Sequence, residues 1–264
     1  MKRLDYAPGL DQWRDVLSRT LPDCTAQIEC FFADREFGFQ HAWEVLDKVS
    51  RLATQIEHRD GRLLHHEVIE HLALFHDIGR FFQGAHVVEP IVLAQQVYTR
   101  FAREQAVRPD SARAVLDGIV STPFLNYRLH PSSHPPRTLE ADIVRAIVIM
   151  LNTRGARVDY HYACSRAQHD APFFDPSLTQ EQRARFSLEH FSGDHLNVLL
   201  SLLAMRPGDF SHPVLQEAYR RWRGPVKEEV VAHILDLARR VGESEEYLES
   251  IQQTITWYRS TFAC

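Results

Sequence analysis

The sequence predicts an all-α fold, and three observations support this prediction. Apolar residues recur at three- and four-residue steps through several long segments, which is the period of an amphipathic helix. Prolines and glycines stand at the ends of many of these segments, where helices begin and end. The sequence contains no useful apolar–polar alternation, no glycine-rich phosphate loop and no internal repeat. We therefore expect helices without a sheet.

Four helices are predicted in the N-terminal half. The first two cover 40–57 and 62–77, and Gly79 follows the second as a residue that adopts a left-handed cap at little cost. Pro90 and Pro109 each stand at the first position of a further helix, because the fixed proline φ suits a first turn and its missing N–H is not needed there. The apolar stripes of these helices are expected to share one core.

The rest of the chain is predicted to be helical with interruptions. Four prolines between 121 and 137 predict a loop, and helix resumes at Thr138. Pro213 and Pro225 are predicted to begin two separate helices, and Gly242 is predicted to end the second of them.

The composition disfavours several classes of protein. A 264-residue chain with 44% hydrophobic residues is long enough to bury a sizeable core. Its formal net charge of −5 disfavours a duplex-DNA binder, which usually carries a basic stripe. The four cysteines are scattered and form no C-x-x-C pair, so we expect no disulfide framework. With no apolar leader and no membrane-length apolar run, we expect a cytoplasmic protein that does not contact a membrane.

The pair His76-Asp77 is the main candidate for chemistry. About one His-Asp pair is expected by chance in a chain with 15 histidines, and a second pair stands at 169–170. The pair at 76–77 differs because it ends a strongly apolar helix, where polar side chains are costly to bury without partners.

His41 on the preceding helix is predicted to point inward as well. At about 100° per residue it lies about 40° from Val45, inside the apolar stripe. A lone inward histidine is more often a hydrogen-bonded core residue than a ligand. Two neighbouring helices that both direct His or Asp inward favour a metal instead, and these ligand types suit Zn, Fe, Mn, Co or Ni.

With this pattern of inward His and Asp residues, the sequence resembles the HD-domain metal-dependent phosphohydrolase superfamily. Members have a His on one helix, a His-Asp pair that ends the next, and a distant Asp on a later helix. The matching segments are HAWEV at 41–45, HDIGR at 76–80 and EADIV at 140–144. The resemblance implies an HD-domain helical bundle over about 35–165, with additional C-terminal helices over about 178–264, in a single domain spanning 1–264.

The resemblance also implies a ligand set. His41, His76, Asp77 and Asp142 would hold one divalent transition metal, with Asp159 as the rival for the fourth position. A solvated carboxylate in the first turn of a helix is the simpler explanation of Asp142, because the helix dipole favours one there.

A second metal is not expected. Many relatives supply two more histidines between the His-Asp pair and the final Asp. Here His86 stands near the first of these places, but Thr122 stands where the second would be. The missing histidine predicts a single ion, and it argues against the mixed-valent di-iron oxygenases of the same superfamily.

The implied activity is hydrolysis of a phosphomonoester, nucleotide or phosphodiester by a metal-activated water. Asp77 would bind the metal and orient the water, while Arg80, Arg145 and His86 would contact a small phosphorylated substrate, with a nucleotide as the leading candidate. Each arginine also has a simpler explanation as a surface ion-pair residue. The alternative function is a catalytically degraded HD-domain protein that binds a nucleotide or a protein partner, and a homodimer is left open.

Overall fold

A computed structural model describes residues 10–35, 38–82, 90–121, 135–153, 158–159, 162 and 205–262. Of these residues 82% are helical and none lies in a strand, so the all-α prediction is confirmed. The main helices are α1 (Leu10–Thr20), α2 (Thr25–Ala33), α3 (Phe39–Asp60), α4 (His66–Phe75), α5 (Pro90–Glu104), α6 (Pro109–Ser121), α7 (Leu139–Asn152), α8 (Pro213–Arg240) and α9 (Glu245–Phe262).

The chain divides into two compact units. Among the described residues, the first unit contains those up to 121 and 136–147, and the second contains residue 135 and those from 148 onward. The bounds implied by the HD-domain resemblance stay a prediction. Within the described ranges, no helix combines the length and the apolar character needed to cross a membrane.

The core of the first unit is centred on α3 and α4. The predicted stripe of α3 is buried, and the helix ends at Gly61, whose φ of 65° lies in the left-handed region that favours glycine. Helix α4 packs against both α3 and α6. Gly118 on α6 makes this packing close, because a Cβ built there would lie 2.5 Å from Cδ2 of Leu72. Helices α5 and α6 begin at Pro90 and Pro109 as predicted.

The start of α4 lies four residues later than predicted, at His66. Two glutamates from other helices bind the backbone just before it: Glu57 Oε1 accepts a hydrogen bond from Leu64 N at 2.9 Å, and Glu140 Oε1 accepts one from His65 N at 3.1 Å. Because both N–H groups already have glutamate acceptors, α4 does not need to begin earlier to satisfy them.

In the second unit, the prediction that Pro225 begins a separate helix is wrong, because α8 runs without a break from Pro213 to Arg240. An interior proline costs a helix about 3 kcal/mol. The buried stripe continues in phase across it: Tyr219 and Val230, both buried, are eleven residues apart, which leaves them only about 20° apart around the helix. Burial on both sides of the proline thus favours one helix. Gly242 follows its end with a φ of 77°, as predicted.

Candidate metal centre

The end of α4 brings His76 and Asp77 next to His41 of α3. His76 N donates to Leu72 O at 3.1 Å, which completes the last turn, and Asp77 then precedes a short 3₁₀ turn, Ile78–Phe81. His41, on the inward stripe of α3, is 2% exposed, and His76 and Asp77 are 6% and 9% exposed. The prediction that all three side chains point inward is confirmed.

The hydrogen bond from His76 to the backbone fixes how its ring is protonated. Nδ1 of His76 lies 2.9 Å from Ala73 O, and a carbonyl oxygen only accepts, so Nδ1 carries the proton. In the neutral ring Nε2 then bears a lone pair. Nε2 lies 3.3 Å from Nε2 of His41 and 3.4 Å from Oδ2 of Asp77. The Nε2 lone pair of His76 thus faces a ring nitrogen of His41 and a carboxylate oxygen of Asp77 within one small volume.

This arrangement fits a metal ion. Donor atoms at about 2.1 Å from one ion lie about 3.0 to 3.4 Å apart for octahedral to tetrahedral angles, which matches both distances to His76 Nε2. The donor atoms of His41, His76 and Asp77 all lie within 4.8 Å of one another. Oδ2 of Asp77 is buried and makes no hydrogen bond within the described part of the chain. A metal-binding histidine also commonly donates its other N–H to a backbone carbonyl, as His76 does.

A neighbouring cation stabilises the ionised form of Asp77. Arg80 Nε donates to Asp77 Oδ1 at 3.0 Å. Burial raises the pKa of Asp77, but the charge of Arg80, together with the rings of His76 and His41 when these are protonated, lowers it by more. The pKa of Asp77 therefore lies well below its ordinary value, and the group is a carboxylate at neutral pH.

Asp142 is buried in the first turn of α7 but does not belong to the three-residue group. Its side chain is 2% exposed, so the solvated-carboxylate explanation is wrong. Arg145, one turn later, is 1% exposed, and its Nη1 lies 3.9 Å from Asp142 Oδ1. The surface ion-pair explanation of Arg145 is therefore wrong too. The role of Asp142 as fourth ligand stays a prediction.

The other predicted site residues stay untested. In the second unit, Asp159 Oδ1 lies 2.6 Å from Nε2 of His233 on α8, and both side chains are partly exposed. His86 and Thr122 lie outside the described residues, so the prediction that His86 contacts substrate and the argument for a single ion remain predictions.

Sequence reasoning missed two polar residues that support α4. Glu140 is 4% exposed and ties the first turn of α7 to the start of α4 through His65 N. His71 is 8% exposed, so this histidine of α4 is buried and does not lie on a solvated face of the helix. Nδ1 of His71 lies 3.1 Å from the hydroxyl of Tyr98 on α5. Both residues hold in place the helix that ends in the candidate ligands.

Comparison of the chain with protein-family models, with curated proteins and with solved structures finds no match. The HD-domain resemblance therefore depends on the three short segments alone, and membership of that superfamily stays a proposal.

Proposed function

We propose that this chain is an HD-domain-like phosphohydrolase that binds one divalent transition metal through His41, His76 and Asp77, with Asp142 as the candidate fourth ligand. The observation that carries the proposal is the hydrogen bond from His76 Nδ1 to Ala73 O. This bond leaves the Nε2 lone pair of His76 facing Nε2 of His41 and Oδ2 of Asp77. The HD-domain resemblance supports the reaction class, and the geometry of the three side chains supports the choice of a metal.

A bound metal accounts for this geometry better than a proton. A proton on Nε2 of His41 can be donated to the Nε2 lone pair of His76, but it leaves the buried Oδ2 of Asp77 without a hydrogen bond among the described residues. A divalent ion attracts both imidazole lone pairs and the carboxylate together, and it compensates the cost of burying them. The ligand types allow Fe, Mn, Zn, Co or Ni.

The residues around the site have separate tasks in the proposed reaction. When bound, the metal supplies a Lewis acid for the phosphoryl group and lowers the pKa of water toward neutrality. Asp77 is ionised and a weak base, so it accepts a hydrogen bond from the attacking water and orients it. The water oxygen forms a bond to phosphorus, the bond from phosphorus to the leaving oxygen breaks, and the leaving oxygen takes up the proton that the water loses.

Two arginines differ in how they could help. The side chain of Arg80 is 25% exposed and stands beside Asp77, so its charge is accessible to a phosphate at the site. The side chain of Arg145 is 1% exposed and lies beside Asp142, so it serves first to compensate that buried carboxylate. The substrate is proposed to be a small phosphorylated molecule, with a nucleotide as the first class to test.

The test uses full-length protein stripped of metal with EDTA and reloaded separately with each of the five metals. We expect the wild type to bind one ion per chain and to hydrolyse an aryl phosphate or a member of a nucleotide panel. His76→Ala and Asp77→Asn should lose metal and activity together. His58→Ala, at an exposed position of α3, is the matched control and should keep both.

Circular dichroism of the metal-free variants checks that they fold. Wild type that binds metal but hydrolyses no phosphate ester under any of these conditions would contradict the catalytic proposal, and would favour the degraded relative that binds a nucleotide or a protein partner. Wild type that binds no metal would contradict the proposal as a whole.

A further inference from the structure

We infer that Arg80 is a positioning residue, which holds the Asp77 carboxylate so that Oδ2 faces the two histidines. This inference rests on the proposed function, because it assigns a role toward the same metal. It differs from the direct phosphate contact implied by the sequence, since Arg80 acts here through Asp77.

Arg80 holds Asp77 at two points. The Arg80 side chain donates from Nε to Oδ1 of Asp77 at 3.0 Å, and the Arg80 backbone N donates to the Asp77 carbonyl at 3.1 Å. The second bond is the backbone hydrogen bond of the short 3₁₀ turn that follows α4. Because a 3₁₀ turn has three residues per turn, residues 77 and 80 lie on the same side of it. The turn thus places the guanidinium beside the carboxylate.

This contact fixes the plane of the Asp77 carboxylate. The terminal torsion of an aspartate is broad, so a carboxylate without contacts rotates easily, and at intermediate angles neither of its two equivalent oxygens points at the histidines. Here Oδ1 is bonded to Arg80, while buried Oδ2 lies 3.4 Å from His76 Nε2. Removing the bond to Oδ1 therefore lets the carboxylate plane rotate, so that neither oxygen is held at the position where it would bind a metal.

The charge of Arg80 and its hydrogen bond to Asp77 should have opposite effects on metal binding. The positive charge of Arg80 repels a divalent ion, so removing only the charge should strengthen metal binding. The Arg80–Asp77 bond orders a ligand, so removing only the bond should weaken it, and loss of such a supporting partner typically costs 10–100-fold in metal affinity. Two variants separate the contributions.

Arg80→Gln and Arg80→Met form a matched pair. The Gln amide nitrogen is the same number of bonds from Cα as Nε of arginine, so Gln keeps a donor for Oδ1 and loses the charge. Met places a methyl group at that position and loses both. We expect Arg80→Met to bind Co²⁺ and Zn²⁺ about 10–100-fold more weakly than Arg80→Gln, and Arg80→Gln to bind at least as tightly as wild type.

The visible spectrum of the Co²⁺-loaded protein gives a second readout, because it reports the ligands around the ion. Arg80→Gln should keep the wild-type spectrum, and Arg80→Met should change it. Arg51→Met is the control on α3, since Arg51 forms an exposed ion pair with Asp47 at 2.7 Å, and it should alter neither measurement.

Equal metal affinities and equal spectra for Arg80→Gln and Arg80→Met, in variants that fold and with wild type that binds metal, would overturn this inference and leave the proposed function in place. Wild type that binds neither ion would overturn the proposed function and this inference with it.

Discussion

The buried histidine on α4 makes the stability of the protein depend on pH. His71 contacts the rings of Trp13, Phe75 and Phe101 edge-on, and its Nδ1 lies 3.1 Å from the Tyr98 hydroxyl. Burial lowers the pKa of His71 from 6.5 to about 4, with a smaller opposing effect from the charge of a nearby glutamate. Above pH 6.5 the ring is neutral in both the folded and the unfolded chain.

The sign and size of the effect follow from the two pKa values. Between pH 6.5 and 4 the unfolded chain binds a proton at His71 and the folded chain does not, so the free energy of unfolding falls as the pH falls. A difference of about 2.5 pKa units at 1.36 kcal/mol per unit gives about 3 kcal/mol lost across this range. The loss is complete near pH 4.

Urea unfolding of wild type and His71→Phe, measured in EDTA at a series of pH values, isolates this contribution. The variant keeps an aromatic ring and leaves Tyr98 without its hydrogen-bond partner, which adds a cost that does not depend on pH. The difference between the two proteins in free energy of unfolding should therefore shift by about 3 kcal/mol, in favour of the variant, between pH 7 and pH 4.

His58→Gln removes an exposed histidine from α3 and should show the same pH dependence as wild type. If His71→Phe loses stability with falling pH as steeply as wild type does, His71 is not buried as a neutral ring.

Substitutions at Gly118 and Glu140, each with a matched control, test the packing that positions the site. Gly118→Val should lower the free energy of unfolding by about 3 kcal/mol in urea titrations, because even a Cβ there lies 2.5 Å from a methyl group of buried Leu72. Gly208→Val, where a Cβ meets nothing within 4 Å, should have little effect, and equal losses would contradict the close packing. Glu140→Ala should cost about 1–3 kcal/mol by removing the acceptor of His65 N, while Glu140→Gln keeps an oxygen and should cost less. Thermal unfolding separates the two, and equal melting temperatures would exclude this role for Glu140.

The sequence was sufficient to predict features that depend on local chemistry. The first-turn preference of proline located the starts of α5 and α6, and the angle between His41 and Val45 around α3 predicted that the histidine points inward. The same preference gave a wrong prediction at Pro225, which lies inside α8. A proline alone does not show whether it begins a helix or lies inside one whose buried residues on both sides offset the cost of the proline.

Features that depend on which helices meet were not predictable from one sequence. The burial of His71 is one such feature, because it depends on α4 packing against helices on more than one side. The partner of Glu140 lies 75 residues away in sequence, at His65. For Arg80 the three-residue spacing to Asp77 was visible, but the 3₁₀ turn that joins their side chains was not.

A calorimetric Zn²⁺ titration of EDTA-treated protein, with His41→Ala and His76→Ala in parallel, tests whether these two histidines bind one metal ion together. It should give one saturable site per chain in the wild type, and none in either variant, although the mutated residues are 35 positions apart in the sequence. Failure of the wild type to take up zinc, or uptake that survives both substitutions, would show that these side chains do not jointly bind a cation.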